Sequence, residues 1–206
     1  MAAFEIDLAD IDYDSLSPLV AQGEDREAVI DRIVEMWCTE LNDDAAFVSH
    51  DGQNLVNGCA LSFAKLEDAS GVAINLVELL RRVSVRLRER FKEIPDGGLR
   101  RVRVVLRGCV IPECSIDRVD EKLDLPCDLV TVSCKFSGNV SLVGASFGGH
   151  ARFERASFVG FAGFERASFG EDAWFERASF GGSARFEEAR FGGFAGFEGA
   201  SFGEDA

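Results

Sequence analysis

Residues 145–166 read ASFGGHARFERASFVGFAGFER. This stretch decides the fold, because it is one eleven-residue phrase written twice. Aligned in elevens from Ala145, the chain continues ASFGGHARFER, ASFVGFAGFER, ASFGEDAWFER, ASFGGSARFEE, ARFGGFAGFEG, ASFGEDA. Phenylalanine recurs at Phe147, Phe153, Phe158, Phe164, Phe169, Phe175, Phe180, Phe186, Phe191, Phe197 and Phe202, in steps that alternate six and five. An alanine stands two places before each, from Ala145 to Ala200. The unit is A-x-F-x-x, with one spare residue after every second copy.

Those steps exclude the simple elements. On a helix turning about 100° per residue, steps of five and six scatter the rings and leave no stripe. Glycine at this density costs a helix further, at about 1 kcal/mol per interior position. On a flat strand, a step of five sends the next ring to the opposite face. A chain that turns a corner every five or six residues keeps every ring inward. Four such sides close a coil of about 22 residues. The pairs Gly148-Gly149 and Gly181-Gly182 are expected at corners that need unusual backbone angles.

These Ala/Phe pairs resemble the pentapeptide-repeat family. The resemblance implies a right-handed parallel β-helix, quadrilateral in section, with the bulky residue at the centre of each side and a small one two places earlier. It covers 145–206 in regular form, and the sixth residue departs from the family's strict period of five. The resemblance also implies a function: some members look like DNA and occupy DNA gyrase, giving quinolone resistance.

The pattern continues upstream in degraded form as Val140-x-Leu142, Cys134-x-Phe136, Cys127-x-Leu129, Cys114-x-Ile116 and Cys109-x-Ile111. The expected organisation is α+β. An α-rich N-terminal cap spans 1–100 and the solenoid spans 101–206, with degenerate repeats over 103–144 and a loop at 117–126. Helices are predicted at Glu24–Leu41 and Ala73–Lys92, where apolar residues recur at helical spacing. Pro95-Asp96-Gly97-Gly98 marks the boundary. The cap is expected to pack on the first coil, because a solenoid's terminal coil exposes strand edges and core. Cys109, Cys114, Cys127 and Cys134 fall in the small inward slot and read as buried apolar residues. Their spacing, with that of Cys38 and Cys59, is not that of a zinc site.

No catalytic, cofactor-binding or metal-binding residue is predicted. His50 lies in a loop-like stretch and His150 at a spare position read as outward and undemanding. Glu171-Asp172 and Glu204-Asp205 read as solvated corners. No nucleotide-binding or hydrolase motif occurs. The net charge is −14, yet residues 1–50 hold thirteen acidic and two basic side chains, whereas residues 145–206 hold ten and six. Direct nucleic-acid binding is not expected without a basic face. The basic run at 81–92 reads as a solvated helix face. With neither a secretory leader nor an apolar run long enough to span a membrane, the cytoplasm is the default location.

The spare position reads His150, Phe161, Asp172, Ser183, Phe194, Asp205. Residues 145–173 and 178–206 differ at only five of 29 positions, so a 33-residue unit is duplicated. At 22 residues per coil, 33 is one and a half turns, which sets Phe161 and Phe194 on opposite faces as candidate partner contacts. The leading functional expectation is a non-catalytic protein-binding scaffold with an unidentified protein partner. DNA-mimic inhibition of gyrase ranks below it, because arginines are mixed among the acids of the repeat. The closing ASFGEDA stops at position seven of eleven, which raises three further expectations. The favoured one is a fragment of a longer repeat protein. The others are a frameshifted gene and a homodimer formed end to end through the open rung at Phe202.

Overall fold

The computed structural model describes residues 11–19, 25–39, 61–62, 64–90, 92, 103–116 and 122–203. Within it, residues 103–202 wind as a right-handed parallel β-solenoid with four flat faces, about 22 residues to the coil. One regular coil sets the order of the faces. Lys135–Phe136 lies on face one, Val140–Ser141 on face two, Ser146–Phe147 on face three and Ala151–Arg152 on face four. Ser157–Phe158 then returns to face one and pairs in parallel with Lys135–Phe136.

Apart from Arg103–Arg107 and Asp128–Val132 on face four, each side of the coil is only two residues long, so no such strand is stable alone. Stability comes from stacking. Backbone N–H groups donate to the neighbouring coil, as Phe153 N does to Trp174 O at 2.7 Å and Ser157 N to Cys134 O at 2.9 Å. The side chains stack in the same register. Phe136, Phe158, Phe180 and Phe202 form one column with ring centres 4.7–4.9 Å apart. Phe153, Phe175 and Phe197 form another at 5.0 and 4.9 Å. The small slot holds alanines Ala145 to Ala184, all buried. Burial of the rings is complete through Phe180 but partial at Phe186, Phe191 and Phe197, and Phe202 is 42% exposed.

The corners are of two kinds, and this explains the alternation of five and six. The five-residue step passes a tight turn, in which Ala156 N donates to Phe153 O at 3.0 Å; the same bond recurs at Ala145, Ala167, Ala178, Ala189 and Ala200. Its third residue has positive φ: Ser133, Gly144, Arg155, Arg166, Arg177, Glu188 and Gly199, one every eleven residues. That is the left-handed position of a type II turn. The glycine pairs sit instead in the wide, six-residue corners, and the expectation of unusual angles there does not hold. Gly148, Gly149, Gly181 and Gly182 all have ordinary φ. They are glycine because the coil below lies against them: a Cβ on Gly182 would stand 2.9 Å from the Gly160 carbonyl.

Four arginine and glutamate side chains thus occupy a backbone region that costs an L-residue about 1–2 kcal/mol. Arg155 is exposed, so Arg155→Gly is expected to raise stability by up to about 1 kcal/mol, the strain relieved being partly offset by glycine's chain entropy. A chemical-denaturation midpoint measures it.

Two helices lie upstream: α1, Arg26–Thr39, and α2, Leu76–Arg90. Both fall inside the predicted spans. They pack against each other through Val29, Ile30, Ile33 and Val34 of α1 and Leu76, Leu80, Val83 and Leu87 of α2. The helix α2 covers the open end of faces two and three, where Ser84 Oγ and Arg88 hold the Asp124 carbonyl. Asn75 joins helix to coil: its Oδ1 accepts from Val77 N at 3.0 Å as the N-cap, and its Nδ2 donates to Ser115 O at 2.9 Å. On the other two faces the sheets extend upstream of residue 103. Leu61–Ser62 pairs with the face-four strand and Ala64–Lys65 with face one, followed outward by Ser17–Pro18.

Two expectations shift. Within the predicted loop 117–126, Asp124–Leu125 is a strand of face three, and Leu123 and Leu125 fill the alanine and phenylalanine slots with no exposure. Cys127 is not in the small slot: Leu129 pairs with Ala151, so Leu129 holds it and Cys127 lies at the corner beside Gly149. Cys109, Cys114 and Cys134 do occupy the slot, as their register with Val140 and Lys135 shows. All four are free thiols and buried. Burial pushes the Cys114 thiol up to about 12 and raises Cys134 well above the usual range, so neither forms the reactive thiolate. Cys59, His50, Pro95–Gly98 and Glu204–Asp205 lie outside the described residues.

Candidate interaction surface

The spare residue is a structural post. On the corner between faces three and four, Asp128, His150, Asp172 and Phe194 stand in a column one coil apart. Each short polar side chain accepts the backbone N–H of the next post. Asp128 Oδ1 takes His150 N at 2.8 Å, His150 Nδ1 takes Asp172 N at 3.2 Å, and Asp172 Oδ1 takes Phe194 N at 2.8 Å. On the diagonally opposite corner, Asn139 Oδ1 takes Phe161 N at 3.0 Å. The reading of His150 as outward and undemanding is therefore corrected: it is half-buried, and its Nδ1 receives the Asp172 N–H. Sequence reasoning missed the post because Asp, His and Asn share only an acceptor atom, and they recur at 22 residues rather than 11.

Asp128 anchors the first column. It is 2% exposed, and its Oδ2 accepts from Arg103 Nε at 3.0 Å. Burial pushes its carboxyl above the usual aspartate range, outweighing the opposing pull of the His150 N–H and Arg103. Folding thus favours the protonated form, and this group's contribution to stability falls as pH rises through the raised value. Asp128→Asn keeps the acceptor for the His150 N–H and loses only the bond to Arg103, so it is expected to cost about 1 kcal/mol. Asp128→Ala strands the His150 N–H and Arg103 and is expected to cost about 1–3 kcal/mol. Thermal melts of the two variants should separate cleanly.

Phenylalanine accepts nothing, so Phe161 and Phe194 end their ladders and serve differently. Each ring folds across the outward glycine two residues on, Gly163 on face two and Gly196 on face four. The faces are opposite, as one and a half coils require. The Arg185 guanidinium stacks 5.4 Å from the centre of the Phe161 ring. Phe194 is 62% exposed. Beside it, Trp174 pairs with Gly196 across face four, meets the His150 ring at a tilt with centres 5.1 Å apart, and has the Arg152 guanidinium over its ring at 5.3 Å. Arg152 is itself held by both carboxylate oxygens of Glu154, at 2.9 and 2.6 Å. Face four thus presents rigidly mounted aromatic groups to solvent.

The opposite character appears on face one, where Ser157, Ser179 and Ser201 pair in a short polar row. Its upstream end is covered by the N-terminal segment, where Tyr13 Oη donates to Ser133 O at 2.6 Å and the Lys135 ammonium lies 5.6 Å from the Tyr13 ring centre. Among the described residues no helix is long and apolar enough to cross a membrane, and no three His, Cys, Asp or Glu side chains gather as a metal site would require.

A coil of stacked five-residue sides, with an inward ring at the centre of each, defines a pentapeptide-repeat solenoid. Residues 132–179 match the family model described as pentapeptide repeats, over nine copies. The parallel β-solenoid of residues 103–202 extends beyond the matched stretch on both sides, with the sixth residue housed in alternate corners. No curated protein and no solved structure matches the chain.

Proposed function

We propose that the protein is a non-catalytic scaffold that binds another protein through face four of the solenoid. The observation that carries this reading is the exposure of Phe194, 62%, beside Trp174, with the Phe194 N–H held by Asp172 Oδ1 and its carbonyl by Ala173 N of the preceding coil. Aromatic side chains already held in place lose little entropy on docking. A photoreactive benzophenone side chain introduced at position 194, and separately at 179 on face one, tests it in cells. Adducts with one discrete partner from 194 and none from 179 are expected. Identical adducts from both positions, or none from either, would overturn the reading.

DNA mimicry has less support. Arg155, Arg166, Arg177, Arg185 and Arg190 are all exposed along the coils, which breaks the continuous negative surface such a role needs. Excess protein is expected to leave the supercoiling activity of DNA gyrase unchanged.

A further inference from the structure

The tight corners form two columns, one along each of two diagonal edges of the rod. Between faces two and three the left-handed positions are Gly144, Arg166 and Glu188; between faces four and one they are Ser133, Arg155, Arg177 and Gly199. The backbone is the same on both edges, and each residue stands one coil from the next. The charges differ. Arg166 Nε donates to Glu188 Oε2 at 2.9 Å, so the first edge neutralises itself. On the second edge the place that matches Glu188 is taken by another arginine. Arg155 and Arg177 follow each other one coil apart, about 4.8 Å. Both are exposed, and among the described residues neither guanidinium has an ion pair or hydrogen bond.

The neighbouring carboxylates turn elsewhere. Both oxygens of Glu154 hold Arg152, at 2.9 and 2.6 Å, and Glu176 leans over face four against Gly196. Glu198 is exposed and makes no ion pair among the described residues. Like charges this close repel. Both arginines also carry a left-handed φ, +56° and +57°, which glycine holds without strain at Gly144 and Gly199. Strain kept at two successive coils, together with an uncompensated charge pair, points to a counter-charge from outside the chain. We infer that this edge docks a carboxylate-rich segment of the bound protein, with one acidic side chain on Arg155 and another on Arg177. The inference rests on the scaffold reading, since the edge borders face four, and it specifies the partner's chemistry. Acidic side chains four apart on a helix stand about 5–6 Å from each other, close to the spacing of the coils. Two arginines release too few counterions to hold a nucleic-acid backbone instead.

The test titrates the full chain, at constant ionic strength, with the acetylated and amidated peptide Glu-Ala-Ala-Ala-Glu, and with Gln-Ala-Ala-Ala-Gln as its uncharged twin. The arginine Nε–H resonances report binding. The acidic peptide is expected to shift Arg155 and Arg177 and leave Arg166 in place, and the twin to shift none. Arg177→Gln should weaken the Arg155 response by up to about five-fold, the scale of one exposed ion pair. Arg177→Glu should rebuild on this edge the pair that Arg166 makes with Glu188, and so abolish the Arg155 response. The left-handed position already accepts glutamate at Glu188, which keeps the fold intact in that variant. Unmoved Arg155 and Arg177, an equal shift at Arg166, an equal response to the twin, or a full response in Arg177→Glu would overturn the inference. The crosslinking experiment separates it from the scaffold reading. Adducts at 194 without a response to the acidic peptide sink the arginine edge alone. A response without adducts supports the edge and overturns its protein partner.

Discussion

Phe175→Ala is expected to cost about 3–5 kcal/mol of unfolding free energy, the largest effect of any single truncation proposed for this chain. The ring is fully buried and sits mid-column, stacked on Phe153 at 5.0 Å and Phe197 at 4.9 Å. It also meets Phe164 and Phe186 edge-on at 5.5 Å each. Removing it leaves a void bordered by these rings and by Phe169 and Phe180, each 6.2 Å away. The two-residue strands around it are locked in register to the coils above and below, so the walls cannot collapse into it. The denaturant midpoint should fall with the slope unchanged. Arg177→Ala, two residues on, removes an exposed side chain and is expected to stay within about 0.5 kcal/mol. Phe202→Ala should cost well under half as much as Phe175→Ala, since its ring is 42% exposed. Equal midpoints for Phe175→Ala and Arg177→Ala would contradict an inward-ring core.

Gly149→Ala is expected to cost about 1–3 kcal/mol for a different reason, namely excess volume rather than its loss. The added methyl would stand 2.8 Å from the Cys127 carbonyl carbon and from Asp128 N, and closer still to Asp128 Oδ1. It would push neighbouring coils apart where the Asp128 post receives the His150 N–H. Gly144 makes the contrast. Nothing lies within 4 Å of its missing Cβ, and its φ is +67°. Asparagine tolerates that left-handed backbone, so Gly144→Asn should recover much of what Gly144→Ala loses. At Gly149, asparagine should be at least as harmful as alanine. Thermal melts of the four variants decide between volume and backbone angle at each site.

The rings and alanines of the solenoid were legible in the sequence because their period is short and their residue types are constant. Four faces and 22 residues per coil followed from step lengths alone. The helices were legible from the 3.6-residue spacing of Val29, Ile30, Ile33 and Val34 and of Leu76, Leu80, Val83 and Leu87. The strand at Asp124–Leu125 was hidden because Leu123 and Leu125 replace alanine and phenylalanine, and because Cys127-x-Leu129 offers a false register two residues out of step. The division of labour at corners was hidden too. Glycine suggests left-handed backbone, yet here arginine carries the left-handed angle and glycine carries the close approach. At the candidate surface, the opposite placement of Phe161 and Phe194 was readable from arithmetic. Their glycine seats and the arginine on Phe161 depend on side-chain directions that spacing does not encode.

The alternation of tight and wide corners gives the rod a half-turn screw symmetry, in which eleven residues carry the chain half way round and half a rise along. Parity then governs what copying a segment achieves. Duplicating an even number of elevens stacks a feature above itself and lengthens a single row. Duplicating an odd number delivers it to the far side with the core register intact. The 33-residue duplication is odd, and it turned a one-sided aromatic feature into a two-sided display without disturbing one inward ring.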